Sequence, residues 1–291
     1  MTPAEIFVDL PEGRMFTLQW GEGPLLLFAH ATGMCARTYL ELLQPLGARY
    51  RVVAFDARGH GRTTLPADPA DIPTDWKPYR RDLVALAHRL SADAGGGPVR
   101  LAGHSFGATS AFEAAVDTPG LASSVLLIDP PFIPFEQVQL YRGNPAAPHH
   151  MAEQAARRRG HFPRRDAAFN AYHGRGVFTG WPDRALADYL QGGTLPEPGP
   201  GTETAVRLAC TPAWEATSFR GVSTTMQHSM EACGIPFTLL CAEIGSTVPA
   251  SAEAEIRRLH PEATIRRFPG TGHFLPVTHP ELVRPYFLQM P

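Results

Sequence analysis

The chain has 291 residues, of which 44% are hydrophobic and 19% are charged, and its formal net charge is −2. This length predicts a globular protein with one large core, and the near-neutral charge gives no support for nucleic-acid binding. The opening residues lack the segments of a signal peptide, no apolar run is long enough to span a bilayer, and the four cysteines are scattered, so we expect a cytoplasmic protein with no membrane partner.

The first part of the chain alternates short apolar runs with helical segments. A hairpin is predicted over residues 7–20, and residues 76–94 have apolar side chains at helical spacing. Four continuous apolar runs are typical of strands buried on both faces: Leu25–Ala29, Arg51–Phe55, 99–103 and 125–128. This alternation predicts an α/β fold with a mostly parallel central sheet and helices on both faces.

The pattern changes at residue 132. From there to about residue 217 no apolar strand is predicted, and residues 195–201 are too rich in turn formers for regular structure. The alternation then returns, with predicted strands at 237–241 and 264–268 and predicted helices at 250–259 and 280–288. We therefore predict a core made of residues 1–131 and 218–291, with residues 132–217 as a helical insertion.

The segment Gly103-His104-Ser105-Phe106-Gly107 joins a predicted strand directly to a predicted helix. Glycines two residues to either side of the serine let the helix begin close to the strand, and the turn lifts the hydroxyl above the sheet edge. The following helix directs backbone N–H groups towards that hydroxyl. Ser105 is therefore the candidate nucleophile.

Three further motifs accompany the serine turn: His30-Ala31-Thr32-Gly33, Asp56-Ala57-Arg58-Gly59-His60-Gly61 and Gly270-Thr271-Gly272-His273-Phe274. In this order and spacing, the chain resembles the α/β-hydrolase family along essentially its whole length. The resemblance implies a helical cap, which fits residues 132–217, and a serine, an acid and a histidine in that chain order. A serine nucleophile argues against the family's haloalkane dehalogenases and epoxide hydrolases, which use aspartate. In the family the motif that begins at Asp56 is structural, and we expect Asp56 and Arg58 to form a buried polar brace.

His273 is the candidate base, because an imidazole on a glycine-flanked loop can take and return one proton near neutral pH. The acid is open, since Gly245 stands where the family usually has its aspartate. Asp129 and Glu243 are the two candidates. We favour Asp129, whose position at the carboxyl end of a central strand is fixed. Glu243 lies two residues before the missing aspartate, and its longer side chain is the alternative.

An oxyanion hole needs two N–H groups that already point at the carbonyl oxygen of the substrate. Phe106, directly after the nucleophile, is the candidate for the first. By resemblance, the second is Thr32, although Thr32 is equally compatible with a simple turn residue. Ala31 replaces the glycine that the family often has at this point.

Together these residues predict a serine hydrolase that cleaves carboxylic esters of small molecules, with no cofactor and no metal. Lactone, amide or C–C bonds are alternative substrates for the same apparatus, and a ligand-binding or sensor protein on a hydrolase scaffold is an alternative of another class.

Six arginines lie within residues 151–175. We expect them to form a solvated helix face rather than a site for a substrate carboxylate or phosphate. The oligomeric state is not indicated.

Overall fold

A computed structural model describes residues 2–133, 138–139, 144, 148–199 and 201–291. Its main sheet has eight strands in the order β1-β2-β4-β3-β5-β6-β10-β11. They are β1 (Ala4–Leu10), β2 (Gly13–Trp20), β3 (Leu25–Ala29), β4 (Arg51–Phe55), β5 (Val99–His104), β6 (Ala122–Ile128), β10 (Phe237–Ile244) and β11 (Thr264–Gly272). Strands β1 and β2 pair antiparallel with their neighbours, and every pair from β4 to β11 is parallel.

Helices cover both faces of this sheet, which confirms the predicted fold class. The helices in the described part of the chain are α1 (Leu40–Leu43), α2 (Lys77–Asp93), α3 (Phe106–Asp117), α4 (His150–Ala156), α5 (Arg165–Tyr172), α6 (Asp183–Gly193), α7 (Pro212–Arg220), α8 (Met226–Glu231), α9 (Ala250–Leu259), α10 (Leu275–Thr278) and α11 (Pro280–Phe287). None of these helices is both long and apolar enough to cross a membrane.

Strand β3 shows why a continuous apolar run forms a central strand. Successive side chains of a strand point to opposite faces of the sheet. Leu25, Leu27 and Ala29 pack into the hydrophobic cluster on the face of α2 and α3. Leu26 and Phe28 pack into the cluster on the face of α1 and α11. Both faces are therefore buried, and no position of the strand is left for a polar side chain.

The described residues between 132 and 217 include three short strands, although the sequence predicts none there. They form a small antiparallel sheet in the order β7-β9-β8, with β7 (His161–Phe162), β8 (Thr194–Pro196) and β9 (Val206–Leu208). Strands of two or three residues are too short to show hydrophobic alternation. Pro196 is tolerated because β8 is an edge strand. The expectation that residues 195–201 lack regular structure is thus wrong at its beginning, and α7 runs across the predicted boundary at residue 217.

Candidate active site

Ser105 lies at the turn between β5 and α3, and its backbone has φ 54° and ψ −126°. A non-glycine residue holds such angles only where the surrounding structure enforces them. Here the N–H of Ser105 donates to the carbonyl oxygen of Ile128 at 2.8 Å, which ties the turn to the adjacent strand β6. Ser105 itself is partly exposed.

The glycines of this turn are required by close backbone contacts. A Cβ on Gly103 would lie 2.5 Å from the carbonyl carbon of Gly107, and one on Gly107 would lie 2.3 Å from the carbonyl oxygen of Ala29. Both distances are far below any normal contact. The start of α3 therefore packs directly on the ends of β5 and β3, as the sequence motif predicts.

His273 follows β11 and is hydrogen-bonded to Asp129, which follows β6. The distance from Nδ1 of His273 to Oδ2 of Asp129 is 2.6 Å. The side chain of Asp129 is fully buried, whereas 22% of the His273 side chain is exposed. The imidazole of His273 also lies against that of His104, the residue before Ser105, with ring centroids 4.7 Å apart. The fold thus brings the candidate base, the candidate acid and the serine turn together.

Hydrogen bonds, and not the surrounding core, stabilise the charge of Asp129. Its carboxylate accepts hydrogen bonds from the N–H of Ala242 at 3.0 Å, the hydroxyl of Ser246 at 2.5 Å and the N–H of Thr247 at 3.1 Å, in addition to His273. Burial on its own raises the pKa of Asp129, but the hydrogen bonds and the neighbouring His273 outweigh burial and lower it. The carboxylate is therefore ionised at neutral pH.

Glu243, the alternative acid, lies elsewhere. Its side chain is exposed, and Oε2 accepts a hydrogen bond from the N–H of Gly270 at 2.8 Å. The structure therefore brings Asp129, and not Glu243, into contact with His273.

The loop after β3 carries the second candidate oxyanion donor. The N–H of Ala31 donates to the hydroxyl of Tyr39 at 3.1 Å, and the N–H of Gly33 donates to Nε2 of His60 at 3.1 Å. Among the residues that the structure describes, the N–H of Thr32 between them has no acceptor, and neither does that of Phe106 at the start of α3. Two unpaired donors are thus available near the serine turn, as an oxyanion hole requires.

Two further histidines, His30 and His60, hold the loops below this site. Nε2 of His30 accepts from the N–H of Ala57 at 2.9 Å, and the rings of His30 and His60 are 4.9 Å apart. Burial lowers the pKa of His30 to about 3 and that of His60 to about 4. Both imidazoles are therefore neutral, and they act as fixed acceptors that connect the loop after β3 to the loop after β4.

Asp56 and Arg58 are both buried, and each has its own partners. Arg58 forms a two-bond contact with Asp82, at 2.8 and 2.7 Å. The carboxylate of Asp56 accepts from the N–H groups of Ala36 at 2.8 Å and Arg62 at 2.9 Å. They brace the fold from two separate points instead of pairing with one another.

One of the six clustered arginines behaves differently from the others. Arg158 has 18% of its side chain exposed and pairs at 2.5 Å with Glu215 of α7, whose side chain is 7% exposed. A Cβ on Gly33 would lie 2.4 Å from Oε1 of Glu215, so this ion pair packs against the loop that carries Thr32. The remaining five arginines are exposed. The sequence does not distinguish Arg158, because it stands among three consecutive arginines.

The histidines of the insertion already have protein partners. His149 accepts an N–H at the start of α4, and Nδ1 of His161 lies 2.5 Å from a carboxylate oxygen of Glu197. Across the described ranges, no three His, Cys, Asp or Glu side chains are grouped so as to hold a metal ion.

Three features define the class of α/β hydrolases. They are a mostly parallel sheet, a serine at a strand–helix turn and a histidine paired with a buried carboxylate. Residues 26–285 match the alpha/beta hydrolase family, and the chain belongs to this family. This agrees with the resemblance that the four sequence motifs indicate.

Several similar proteins are hydrolases. The chain is 26% identical over 276 residues to 2-(acetamidomethylene)succinate hydrolase of Mesorhizobium japonicum, covering 94% of this chain and 90% of that protein. It is 30% identical over 111 residues, 38% of each chain, to (E)-2-((N-methylformamido)methylene)succinate hydrolase of Acinetobacter baylyi. A crystal structure of an E-2-(acetamidomethylene)succinate hydrolase superposes with a TM-score of 0.78, at 24% identity, over 99% of this chain and 98% of the other.

Proposed function

We propose that the protein is a serine hydrolase that cleaves carboxylic esters of small molecules, with Ser105 as nucleophile, His273 as base and Asp129 as the acid that orients it. The observation that carries this proposal is the 2.6 Å contact between Nδ1 of His273 and Oδ2 of Asp129. Because the carboxylate accepts the Nδ1 proton, the neutral imidazole has its lone pair on Nε2, the atom that must take the proton of Ser105.

The reaction proceeds in two halves. The hydroxyl oxygen of Ser105 attacks the ester carbonyl carbon while its proton passes to His273, and the N–H groups of Thr32 and Phe106 stabilise the oxyanion. His273 then gives the proton to the departing alcohol, and an acyl-enzyme remains. A water molecule, deprotonated by His273, attacks the acyl carbon and releases the carboxylic acid, which restores Ser105.

The insertion at residues 132–217 serves as a cap in this proposal. Trp181 of the insertion packs on Phe274, the residue after the base, with ring centroids 5.2 Å apart. Phe178 packs on Trp181 at 5.1 Å. An aromatic wall next to His273 excludes bulk water and limits the size of the substrate.

Short p-nitrophenyl esters test the proposal. The wild-type protein is expected to release nitrophenol, with an initial burst when deacylation is slow, and Ser105→Ala is expected to reduce turnover by at least about 10³-fold. Equal turnover by the two proteins would rule out the serine mechanism. A serine-reactive phosphonate, followed by mass spectrometry of the labelled peptide, identifies the nucleophile independently of the substrate chosen.

Hydrolysis of a C–N bond is the second candidate, and the relatives favour it. The names of the Mesorhizobium and Acinetobacter hydrolases describe substrates with an amide-type nitrogen and a succinate skeleton. The same residues perform this reaction if His273 protonates a leaving nitrogen instead of an alcohol oxygen. Matched esters and amides of one acyl group, assayed beside 2-(acetamidomethylene)succinate, separate the two candidates. The higher kcat/KM identifies the bond, and its loss in Ser105→Ala assigns it to this site.

A further inference from the structure

A continuous chain of hydrogen bonds connects the loop after β3 to the loop that carries His273. The N–H of Ala31 donates to the hydroxyl of Tyr39 at 3.1 Å. That hydroxyl lies 2.8 Å from Nδ1 of His104, and Nε2 of His104 lies 2.9 Å from the carbonyl oxygen of His273. Two side chains thus join backbone groups of two separate loops.

The direction of each hydrogen bond in this chain is fixed. The carbonyl oxygen of His273 can only accept, so Nε2 of His104 carries the proton. Burial and the neighbouring His273 hold the pKa of His104 well below its usual range, so its imidazole is neutral and Nδ1 accepts from Tyr39. The hydroxyl oxygen of Tyr39 in turn accepts from Ala31. No alternative arrangement satisfies all four groups.

The hydrogen-bonded series Ala31–Tyr39–His104–His273, here called the relay, is also held rigidly. Tyr39 and His104 are completely buried, and Ala31 is 2% exposed. Phe28 packs on the ring of Tyr39 with centroids 4.8 Å apart, and Phe274 packs edge-on against His104 at 5.3 Å. If one member loses its polar group, its partners have no solvent to replace the hydrogen bond.

The ends of the relay lie at the groups that the proposed function uses. Ala31 is followed by Thr32, the proposed oxyanion donor, His104 is followed by Ser105, and the far end is the backbone of His273 itself. We propose that Tyr39 and His104 are positioning residues, which fix the oxyanion loop and the base loop relative to each other across the serine turn. This inference rests on the proposed function.

Tyr39→Phe tests the inference, with Tyr50→Phe as its matched control. Tyr50 is also a buried tyrosine, 1% exposed, whose hydroxyl donates to the carbonyl oxygen of Phe287 at 2.7 Å away from the site. Tyr39→Phe is expected to lower kcat by about 10- to 100-fold with KM nearly unchanged, because misplaced donors weaken only the transition state. Tyr50→Phe is expected to keep both constants. All proteins are assayed at a temperature where circular dichroism shows them folded.

A double-mutant cycle tests the link between the two positioning residues. His104→Gln keeps an N–H for the carbonyl of His273 but has no polar atom at the position of Nδ1, the acceptor for Tyr39. Since Tyr39→Phe breaks the same contact, the loss of kcat in the double variant is expected to be smaller than the product of the two single losses. Tyr50→Phe combined with His104→Gln is expected to give the simple product. Multiplicative losses in the Tyr39 cycle would overturn the relay.

A nuclear magnetic resonance measurement separates failure of the relay from failure of the proposed function. The Nδ1 proton of His273, shared with Asp129, is expected to give a low-field resonance that shifts or broadens in Tyr39→Phe and stays in place in Tyr50→Phe. This readout needs no turnover, so it decides the relay even if Ser105→Ala retains full activity. Identical spectra and identical kcat in the two tyrosine variants would contradict the inference. If Tyr39→Phe does not fold, His104→Gln takes its place in both measurements.

Discussion

The carboxylate of Asp129 lies beneath the imidazole of His273, with no solvent contact of its own, while about a fifth of that imidazole remains open to solvent. The two residues are 144 positions apart in the chain. In the proposed mechanism this asymmetry suits a base that exchanges protons with a substrate: part of the imidazole is accessible, and the buried carboxylate stays charged to stabilise the imidazolium.

Asp129→Asn is expected to lower kcat by about 10⁴-fold, because an amide stabilises the wrong tautomer of His273 and does not balance its charge. Glu243→Gln is the matched control, since the same change is made on an exposed carboxylate that contacts the backbone of Gly270. It is expected to keep kcat within about 2-fold. Steady-state kinetics on one ester at pH 8 checks both. If Glu243→Gln alone inactivates the protein, the acid has been assigned to the wrong residue.

Residues of the candidate site could be predicted from sequence only where they belong to a short contiguous motif. Ser105 stands between two glycines and His273 follows two, and the spacing of these glycines indicates the geometry of each turn. The sequence leaves two candidates for the acid, because which carboxylate meets His273 depends on the register between two strands. The N–H of Asp129 donates to the carbonyl of Leu240 at 2.7 Å, and this pairing sets the carboxylate among donors from the loop after β10. No local pattern around Asp129 or Glu243 reveals that register.

The sequence does not single out Tyr39 or Arg158, for a related reason. Tyr39 belongs to no motif, and its position becomes meaningful only when β3 and β5 lie side by side. Arg158 resembles its two arginine neighbours in sequence, and which of the three points inward depends on Glu215, 57 positions later. Likewise, the fold class follows from the alternation of strands and helices, whereas β7, β8 and β9 are too short to produce a pattern.

Gly107→Ala is expected to lower the free energy of unfolding by about 1–3 kcal/mol and to reduce kcat at least about 10-fold, because the new methyl group displaces the serine turn from the end of β3. Gly103→Ala is expected to act in the same way. Gly234→Ala is the control, since a Cβ there meets no atom within 4 Å. It is expected to change stability by less than about 0.5 kcal/mol. Urea unfolding and ester kinetics measure the two effects, and normal activity in both turn variants would contradict the close contacts.

His60 makes the protein sensitive to acid. Its pKa is lowered to about 4 by burial, whereas in the unfolded chain a histidine titrates near about 6.5. Between these values the unfolded chain binds a proton that the folded protein does not, so stability falls as the pH is lowered through this window, by at most about 1.4 kcal/mol per pH unit. His60→Gln keeps an acceptor for the N–H of Gly33 and does not titrate. Relative to this variant, the wild type is expected to lose stability between pH 6.5 and pH 4 in urea unfolding. A stability difference that is constant with pH would show that His60 is not neutral by burial.

Arg158 and Glu215 form an ion pair, and removing either partner is expected to lower the stability of the protein. Arg158→Met is expected to lower the free energy of unfolding by about 3–5 kcal/mol, because the carboxylate of Glu215 stays buried without a counter-charge. Arg157→Met is the neighbouring control. That side chain is 78% exposed and its pair with Glu153 is 3.6 Å long, so a change within about 0.5 kcal/mol is expected. The double variant Arg158→Met, Glu215→Leu is expected to recover most of the loss, since no buried charge remains. Chemical denaturation of the four proteins measures these differences.

If Arg158 instead binds a substrate carboxylate, Arg158→Met will raise KM for an acidic ester, leave KM for its neutral analogue unchanged and scarcely affect unfolding.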